Sequence, residues 1–269
     1  MWIDSHCHLT AEAFDVDREA VLTRAEQAGV EAFVAIGSGY GVANNARVVE
    51  LAAADPRIFA AVGVHPHEAK EWGRETAALL AHWLERPRVI AVGECGLDYH
   101  YMHSERAEQR EVFAAQLALA RERHLPVSIH VRGEAQGAFE DLLEIWRAEG
   151  RGELEGVLHC YTGTLDFARR ALDLGLWVSF SGILTFKQDR GLREVAAGLP
   201  LERLLVETDA PLLAPEGLRG KRNEPAWVDR VGQALARAQG RSPEEVAEVT
   251  TRNARRLFRL PPPAGEARR

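Results

Sequence analysis

The stretch IDSHCHL, residues 3–9, places His6 and His8 two positions apart, directly after an apolar start to the chain. Successive side chains of a β-strand point to opposite faces, so both imidazoles would point the same way and Cys7 would be turned away from them. A lone histidine at a strand end is more often a structural group, but two imidazoles aimed at one point favour metal ligation. The stretch therefore predicts a first strand that ends in a pair of metal ligands.

Further apolar or β-branched runs follow this strand, and amphipathic helical patterns separate them. Residues 105–124, for example, carry apolar side chains at helical spacing, and Ser242, Pro243 and Glu245 form a capping-box start for a later helix. The predicted strands are WID (2–4), AFVAIG (32–37), FAAVGVH (59–65), VIAVGE (89–94), VSIH (127–130), VLHC (157–160), WVSFSG (177–182) and LLVETD (204–209).

Eight such runs alternating with helices in a chain of 269 residues predict an α/β fold, a (β/α)8 TIM barrel with a single domain. A doubly wound open sheet is the alternative, but no glycine-rich dinucleotide fingerprint follows the first run. We expect the domain to cover residues 1–260 and the stretch PPPAGEARR at 261–269 to be a solvated tail.

The composition is typical of a soluble globular protein, with 46% hydrophobic residues and a formal charge of −7. This charge argues against non-specific nucleic-acid binding through the overall field, although bound metal ions or a local basic patch would supply positive potential. The three cysteines do not suggest a disulfide framework. No signal peptide and no apolar stretch of membrane-spanning length is visible, so we expect a cytoplasmic protein without membrane contact, as a monomer.

Metal-competent side chains stand at the ends of several predicted strands. The carboxyl ends of parallel barrel strands meet on one face, so these residues would share one pocket. Four imidazoles and two carboxylates exceed the needs of one open catalytic site and suit two divalent ions, Zn²⁺, Mn²⁺ or Mg²⁺. The candidate ligands are His6, His8, Glu94, His130, His159 and Asp209.

Four residues near these candidate ligands have two possible roles each. Glu207 shares a face with Asp209 and would orient a ligand or contact the attacking water, or else pair with a buried arginine. His65 closes the third strand, where we expect phosphate contact rather than metal ligation, with a purely structural role as the alternative. Asp98 and Tyr99 would line the substrate cleft or pack within their loop. Asp209 itself has an alternative role as the cap of a following turn.

The chain resembles the TatD-like metal-dependent deoxyribonucleases of the amidohydrolase superfamily over about residues 1–258. No single motif is specific, but their order and spacing together are. The matching stretches are DSHCHL (4–9), GVHPH (63–67), GECGLDY (93–99), LPVSIHVR (125–132), LHCYTG (158–163), VSFSGILTFK (178–187), LLVETDAPLLAP (204–215) and RGKRNEPAWV (219–228).

This resemblance implies a barrel with a two-metal centre that activates water for phosphodiester hydrolysis. By motif, one ion would bind His6, His8 and Asp209, and the other would bind His130 and His159. Glu94 would bridge the two ions. The resemblance also implies phosphate contacts for Lys221 and Arg222, and Asp209, Glu94 and Glu207 would form the catalytic group.

The expected substrate is single-stranded DNA, because the basic surface is too limited to wrap a long duplex. Combined with the resemblance, this predicts a 3′-to-5′ exonuclease. Tyr99, Tyr101, Tyr161 and Phe186 are candidates for stacking on bases. The alternatives are another metal hydrolase on this scaffold, acting on esters, amides or aminoacyl-tRNA, and a binding protein with structural metals.

Overall fold

A computed structural model describes residues 1–189 and 191–262 of the protein. Its strands form one parallel sheet in which each strand pairs with its neighbours in chain order, and this confirms the predicted (β/α)8 barrel. The strands are β1 (Trp2–Cys7), β2 (Val30–Ile36), β3 (Ile58–Val62), β4 (Val89–Asp98), β5 (Val127–Arg132), β6 (Gly156–Leu158), β7 (Leu176–Phe180) and β8 (Leu204–Val206).

Helices connect successive strands on the outside of the sheet, and none of the described helices is long and apolar enough to cross a membrane. The predicted cap at Ser242 is present, since its hydroxyl accepts the N–H of Glu245 at 3.1 Å. Residues 263–269 of the expected tail lie outside the described residues. The helices are α1 (Arg18–Gln27), α2 (Asn44–Ala54), α3 (Arg74–Trp83), α4 (Arg106–Glu122), α5 (Ala138–Gly150), α6 (Leu165–Asp173), α7 (Leu192–Ala197), α8 (Val228–Gln239) and α9 (Pro243–Phe258).

The strands differ from the predicted runs mainly at their carboxyl ends. β4 continues beyond Glu94 to Asp98 and stays paired with β5 over that length. β6 and β8 end earlier than predicted, at Leu158 and Val206. An apolar pattern reports which side chains are buried, whereas backbone pairing sets the length of a strand, and polar side chains at the barrel mouth do not interrupt that pairing.

The hydrophobic core has two layers, and the alternation of side chains along each strand separates them. In β2, Val34 and Ile36 belong to the cluster inside the barrel, whereas Phe33 and Ala35 pack outward against the helices. The inner cluster also contains Trp177, which is fully buried, and Phe258 from the end of α9. Large side chains thus fill the barrel interior, so that a site can form only at its mouth.

Hydrogen bonds between β1 and the residues that follow β8 close the barrel. The N–H of Asp209 donates to the carbonyl of His6 at 2.9 Å, and the N–H of His8 donates to the carbonyl of Ala210 at 2.7 Å. Thr208 donates its N–H and its hydroxyl to the two carboxylate oxygens of Asp4, at 2.9 and 2.5 Å. This closure, termed the β1–β8 seam, brings the start of the chain against residues two hundred positions later.

Asp4 makes the stability of the seam depend on pH. The side chain is fully buried, and burial raises the pKa of Asp4 from 3.8 to about 8, although the bonds from Thr208 partly oppose this. The folded state therefore binds a proton on Asp4 more tightly than the unfolded chain does. Its contribution to stability is complete below the unfolded pKa and is lost as the pH rises towards the folded one.

We expect Asp4→Asn to remove this pH dependence, because the amide copies the uncharged acid and still pairs with Thr208. Between about pH 6 and pH 9 the wild type should lose roughly 3 kcal/mol of unfolding free energy that the variant retains. Urea unfolding with chelator present at both pH values measures the difference. Asp166→Asn, at a site 85% exposed, is the matched control and should follow the wild type. Parallel curves for Asp4→Asn and the wild type would contradict the assignment.

Candidate metal centre

The structure brings the six predicted ligands together at the mouth of the barrel. His6 and His130 lie towards the carboxyl ends of β1 and β5, and Glu94 lies about midway along β4. His8 and His159 directly follow β1 and β6, and the other residue, Asp209, lies in the loop after β8. Except for half-buried His130, all are buried. Their side chains form two groups, which share Glu94.

The first group consists of His6, His8, Asp209 and one oxygen of Glu94. The Nε2 atoms of His6 and His8 lie 3.4 Å apart, and Nε2 of His8 lies 3.4 Å from Oδ1 of Asp209. Oε2 of Glu94 lies 3.6 Å from His6 Nε2 and 3.9 Å from His8 Nε2. Ligands at about 2.0–2.2 Å from a four-coordinate ion are separated by about 3.3–3.6 Å, so the spacing fits a divalent cation.

The second group surrounds the other oxygen of Glu94. Oε1 lies 2.7 Å from Nε2 of His159 and 3.0 Å from Nδ1 of His130. The two groups are adjacent, because the ring of His159 stacks on that of His6 with centroids 3.8 Å apart. The carboxylate of Glu94 therefore faces a different pair of imidazoles with each of its oxygens.

The imidazoles also control the charge of Glu94. Burial by itself would raise the pKa of this carboxyl, but His159, His65 and His130 outweigh burial and hold the pKa well below its usual range. Asp209 follows the same pattern, since His8 and His6 outweigh its burial and lower its pKa. Both acids are thus ionised at neutral pH, as metal ligands must be.

Two buried carboxylates contact the ring nitrogens of His159 and His130 that point away from Glu94. Glu207 lies with Oε1 3.2 Å from Nδ1 of His159, and Asp98 lies with Oδ2 3.1 Å from Nε2 of His130. With a divalent ion bound, each carboxylate would accept the ring N–H, and Nε2 of His159 and Nδ1 of His130 would be left to donate electron pairs to the ion. Burial would raise the pKa of Asp98, but the bonds from His130 and His67 outweigh it and lower the pKa.

Glu207 pairs with His159. The alternative prediction, that it pairs with a buried arginine, is wrong. Glu207 is fully buried, and its Oε1 also accepts the N–H of Cys160 at 2.6 Å. The alternative for Asp209 is wrong for its side chain as well. The carbonyl of Asp209, and not its carboxylate, accepts the N–H of Leu212 at 2.9 Å. The carboxylate of Asp209 therefore faces His6 and His8, whereas that of Glu207 contacts His159.

His65 lies beside the second group, with its ring close to Glu94. Its Nδ1 accepts the N–H of His67 at 3.1 Å, so the neutral ring carries its proton on Nε2. That Nε2 lies 3.4 Å from Oε1 of Glu94. Burial lowers the pKa of His65 to about 4, which keeps the ring neutral. His65, Glu94 and His130 nevertheless offer ligand atoms close enough together to hold a metal ion, so the expectation of phosphate contact rather than metal ligation stays a prediction.

Asp98 and Tyr99 do not lie at the cleft surface, and the expectation that they line it is corrected. Asp98 is fully buried, and its Oδ2 also lies 2.9 Å from Nε2 of His67. Tyr99 is 2% exposed and donates its hydroxyl to Asp141 at 2.7 Å. Because β4 continues to Asp98, these residues belong to the wall of the barrel and not to a solvated loop.

The two basic candidates differ in their availability. Arg222 forms two bonds of 2.7 Å to the carboxylate of Asp17, and its guanidinium lies 4.8 Å from the ring centroid of Phe14. It therefore holds the loop after β8 against the segment after β1. The bond from Arg222 lowers the pKa of Asp17 to about 2. Lys221 is exposed, and its predicted phosphate contact stays a prediction.

The cysteines do not join the ligand groups. Cys7 and Cys95 are fully buried in the layer between strands and helices, as strand alternation predicts. Cys160 is half-buried, with its sulfur 3.1 Å from the hydroxyl of Ser181. Burial raises the pKa of all three thiols, and none of them forms a disulfide. They are therefore uncharged wall residues and not thiolate ligands.

Sequence reasoning missed Tyr40 and His67, which border the centre on opposite sides. The ring of Tyr40 meets His8 edge-on with centroids 5.3 Å apart, beside a cavity of about 210 Å³. His67 contacts Asp98 as described above. The spacing of His65 and His67 repeats that of His6 and His8, and this was the available signal for His67. No comparable pattern marks Tyr40.

Glu207→Gln should weaken divalent metal binding roughly 10- to 100-fold, because the amide no longer holds the His159 ring with a charged acceptor. The affinity for Zn²⁺ or Mn²⁺ is measured by competition with a chromophoric chelator. Glu202→Gln, at an exposed position just before β8, is the matched control and should bind like the wild type. Equal affinities for both variants would show that Glu207 does not position His159 for an ion.

Comparisons with known proteins identify the family of the chain. The family described as TatD related DNase matches residues 3–259. The chain is 40% identical to an uncharacterized metal-dependent hydrolase, YabD of Bacillus subtilis, over 97% of this chain and 100% of that protein. It is also 40% identical to the 3′-5′ ssDNA/RNA exonuclease TatD of Pantoea vagans, over 96% of this chain and 99% of that protein.

Solved structures show the same architecture. The crystal structure of YJJV, a TatD homolog from Escherichia coli, superimposes with a TM-score of 0.89 at 33% identity, over 97% of this chain and 98% of that one. A hydrolase of the TatD family from Entamoeba histolytica shares the fold, with a TM-score of 0.84 at 22% identity over 96% and 97% of the two chains. The chain therefore belongs to the TatD-related DNase family of metal-dependent hydrolases.

Proposed function

We propose that the protein removes nucleotides from the 3′ end of single-stranded DNA by hydrolysing phosphodiester bonds, with two divalent ions at the barrel mouth. The observation that carries this proposal is the carboxylate of Glu94, whose two oxygens face two different groups of imidazoles. A shared carboxylate of this kind holds two ions a few ångströms apart, as in two-metal phosphodiesterases and nucleases.

The donor set fits this role. His6, His8 and Asp209 would hold one ion, His130 and His159 the other, and Glu94 both. Imidazole and carboxylate ligands accept Zn²⁺ and Mn²⁺, with carboxylates extending the range to Mg²⁺. When bound, such ions lower the pKa of coordinated water and offset negative charge on phosphate oxygens.

The protein's own acids have separate tasks in this proposal. Asp209 is ionised and lies against His8, so that it can accept the proton of the attacking water. Glu94 sets the separation of the two groups. Glu207 is a positioning residue, because its carboxylate contacts His159 and does not reach the mouth directly. Asp98 has the same task for His130.

The choice of single strands rests on charge and on similarity. A chain with a formal charge of −7 cannot neutralise many duplex phosphates at once. The similar TatD protein of Pantoea vagans is a 3′-5′ ssDNA/RNA exonuclease. Lys221 and His65 would contact substrate phosphates at the mouth. The three cysteines are free thiols, which supports action in the cytoplasm, and we propose that the protein acts as a monomer.

Removal of metal should abolish cleavage of a single-stranded oligonucleotide, and adding back Zn²⁺, Mn²⁺ or Mg²⁺ one at a time should restore it. A 5′-labelled strand should shorten stepwise from its 3′ end, and a circular strand should be cut much more slowly than a linear one. Glu94→Ala and Asp209→Ala should lose more than about a hundredfold in activity, beyond the usual effect of residues that only support a ligand.

Elemental analysis should find two ions per wild-type chain and fewer in Glu94→Ala. Asp166→Ala, at an exposed carboxylate on α6, is the control for both measurements and should match the wild type. Faster cutting of circles, or full activity of Glu94→Ala, would contradict the proposal. Turnover of esters or amides but not of phosphodiesters would assign the centre to a different hydrolysis.

A further inference from the structure

Beside the second ligand group, the loop between β4 and α4 carries a cluster of exposed rings. Tyr101 is 50% exposed and lies nearly parallel to the ring of His103, with centroids 5.9 Å apart. Arg132, at the end of β5, places its guanidinium 4.7 Å from the centroid of Tyr101. Tyr101, His103 and Arg132 are termed the stacking platform.

A short series of rings connects the platform to the centre. The centroid of His67 lies 4.5 Å from that of His103 and 5.8 Å from that of Tyr101. On its other side, His67 lies 4.4 Å from His65, whose Nε2 is 3.4 Å from Glu94. The platform is therefore separated from the bridging carboxylate by only two imidazole rings.

The platform differs from the other aromatic candidates in its exposure. Tyr99 and Tyr161 are each 2% exposed, and their hydroxyls donate to Asp141 and to the carbonyl of Thr164. Phe186 is half-buried beneath the guanidinium of Arg219. Among the four tyrosine and phenylalanine rings named above, Tyr101 is the exposed one, although Arg132 and the ring of His100, with its centroid 4.7 Å away, cover part of it.

The charge of Arg132 is also available. Arg110 on α4 is a nearby arginine that pairs with Asp141. Arg132, in contrast, forms no ion pair within residues 1–189 and 191–262. In a chain with a formal charge of −7, an exposed guanidinium without an acidic partner creates local positive potential next to the candidate centre. An open aromatic ring beside such a charge matches the two surfaces of a nucleotide, its base and its phosphate.

We propose that the stacking platform binds a nucleotide of the substrate strand next to the one that is hydrolysed. The base stacks on Tyr101 and His103, and Arg132 contacts the adjoining phosphate. This inference rests on the proposed function and adds a subsite to it. Stacking engages the face that all bases share, so the subsite secures the strand without reading its sequence.

Tyr101→Ala should raise KM for a single-stranded oligonucleotide about tenfold with kcat nearly unchanged, because one base loses its stacking partner. Tyr101→Phe should keep the wild-type KM. Arg132→Ala should raise KM and reduce its salt dependence, since one phosphate contact is lost. With bis(p-nitrophenyl) phosphate, a phosphodiester that contains no nucleotide, all variants should match the wild type. Arg106→Ala is the control, because its guanidinium stacks on the buried Tyr99.

A second measurement locates the subsite. An oligothymidylate with an abasic site at each of the last positions in turn should raise the KM of the wild type at one position. Tyr101→Ala should show no further rise at that position. An unchanged KM for Tyr101→Ala on a cleaved oligonucleotide, or additive effects of variant and abasic site, would overturn the platform alone. A wild type that hydrolyses bis(p-nitrophenyl) phosphate but neither cleaves nor binds oligonucleotides would overturn the proposed nuclease function as well.

Discussion

Two backbone hydrogen bonds across the β1–β8 seam hold the candidate centre together. They join His6 to Asp209 and His8 to Ala210, so the first ligand group exists only when the first and last strands of the barrel are in register. The side chains of the ligands could not set this register by themselves, because attraction and repulsion between charged groups do not select one alignment of the two strands. Peptide groups paired at fixed spacing determine where the imidazoles and the carboxylate meet.

The fate of each buried acid depends on its neighbours. Asp4 and Glu94 are similarly buried, yet burial raises the pKa of Asp4 while the imidazoles around Glu94 lower its pKa. Asp4 accepts hydrogen bonds from the hydroxyl and N–H of Thr208 and from the N–H of His6, with no imidazole or other basic partner among these donors, and serves the seam as a largely uncharged group. Glu94 stays ionised between groups of nitrogen donors, and this arrangement creates a place for cations.

Most of the candidate ligands could be predicted from the sequence, because the carboxyl ends of all strands in a parallel barrel lie on the same face. His6, Glu94 and Asp209 follow runs whose apolar pattern marks them as strands, and the fold brings the carboxyl ends of such strands together. The predictions for Asp98 and Tyr99 failed for the opposite reason. Polar residues after an apolar run look like a loop, but backbone pairing with β5 extends the strand and buries them.

The sequence by itself determined the barrel and the positions of the candidate ligands along its strands, since periodicity is a local property of the chain, and its motifs indicated the family by resemblance. Only the tertiary structure decided which nitrogen of each imidazole faces Glu94, that Glu207 pairs with His159, and that Tyr101 stays exposed while Tyr99 does not. These features depend on contacts between residues far apart in the chain. No local pattern encodes them, because burial and hydrogen-bond partners exist only after the sheet has closed.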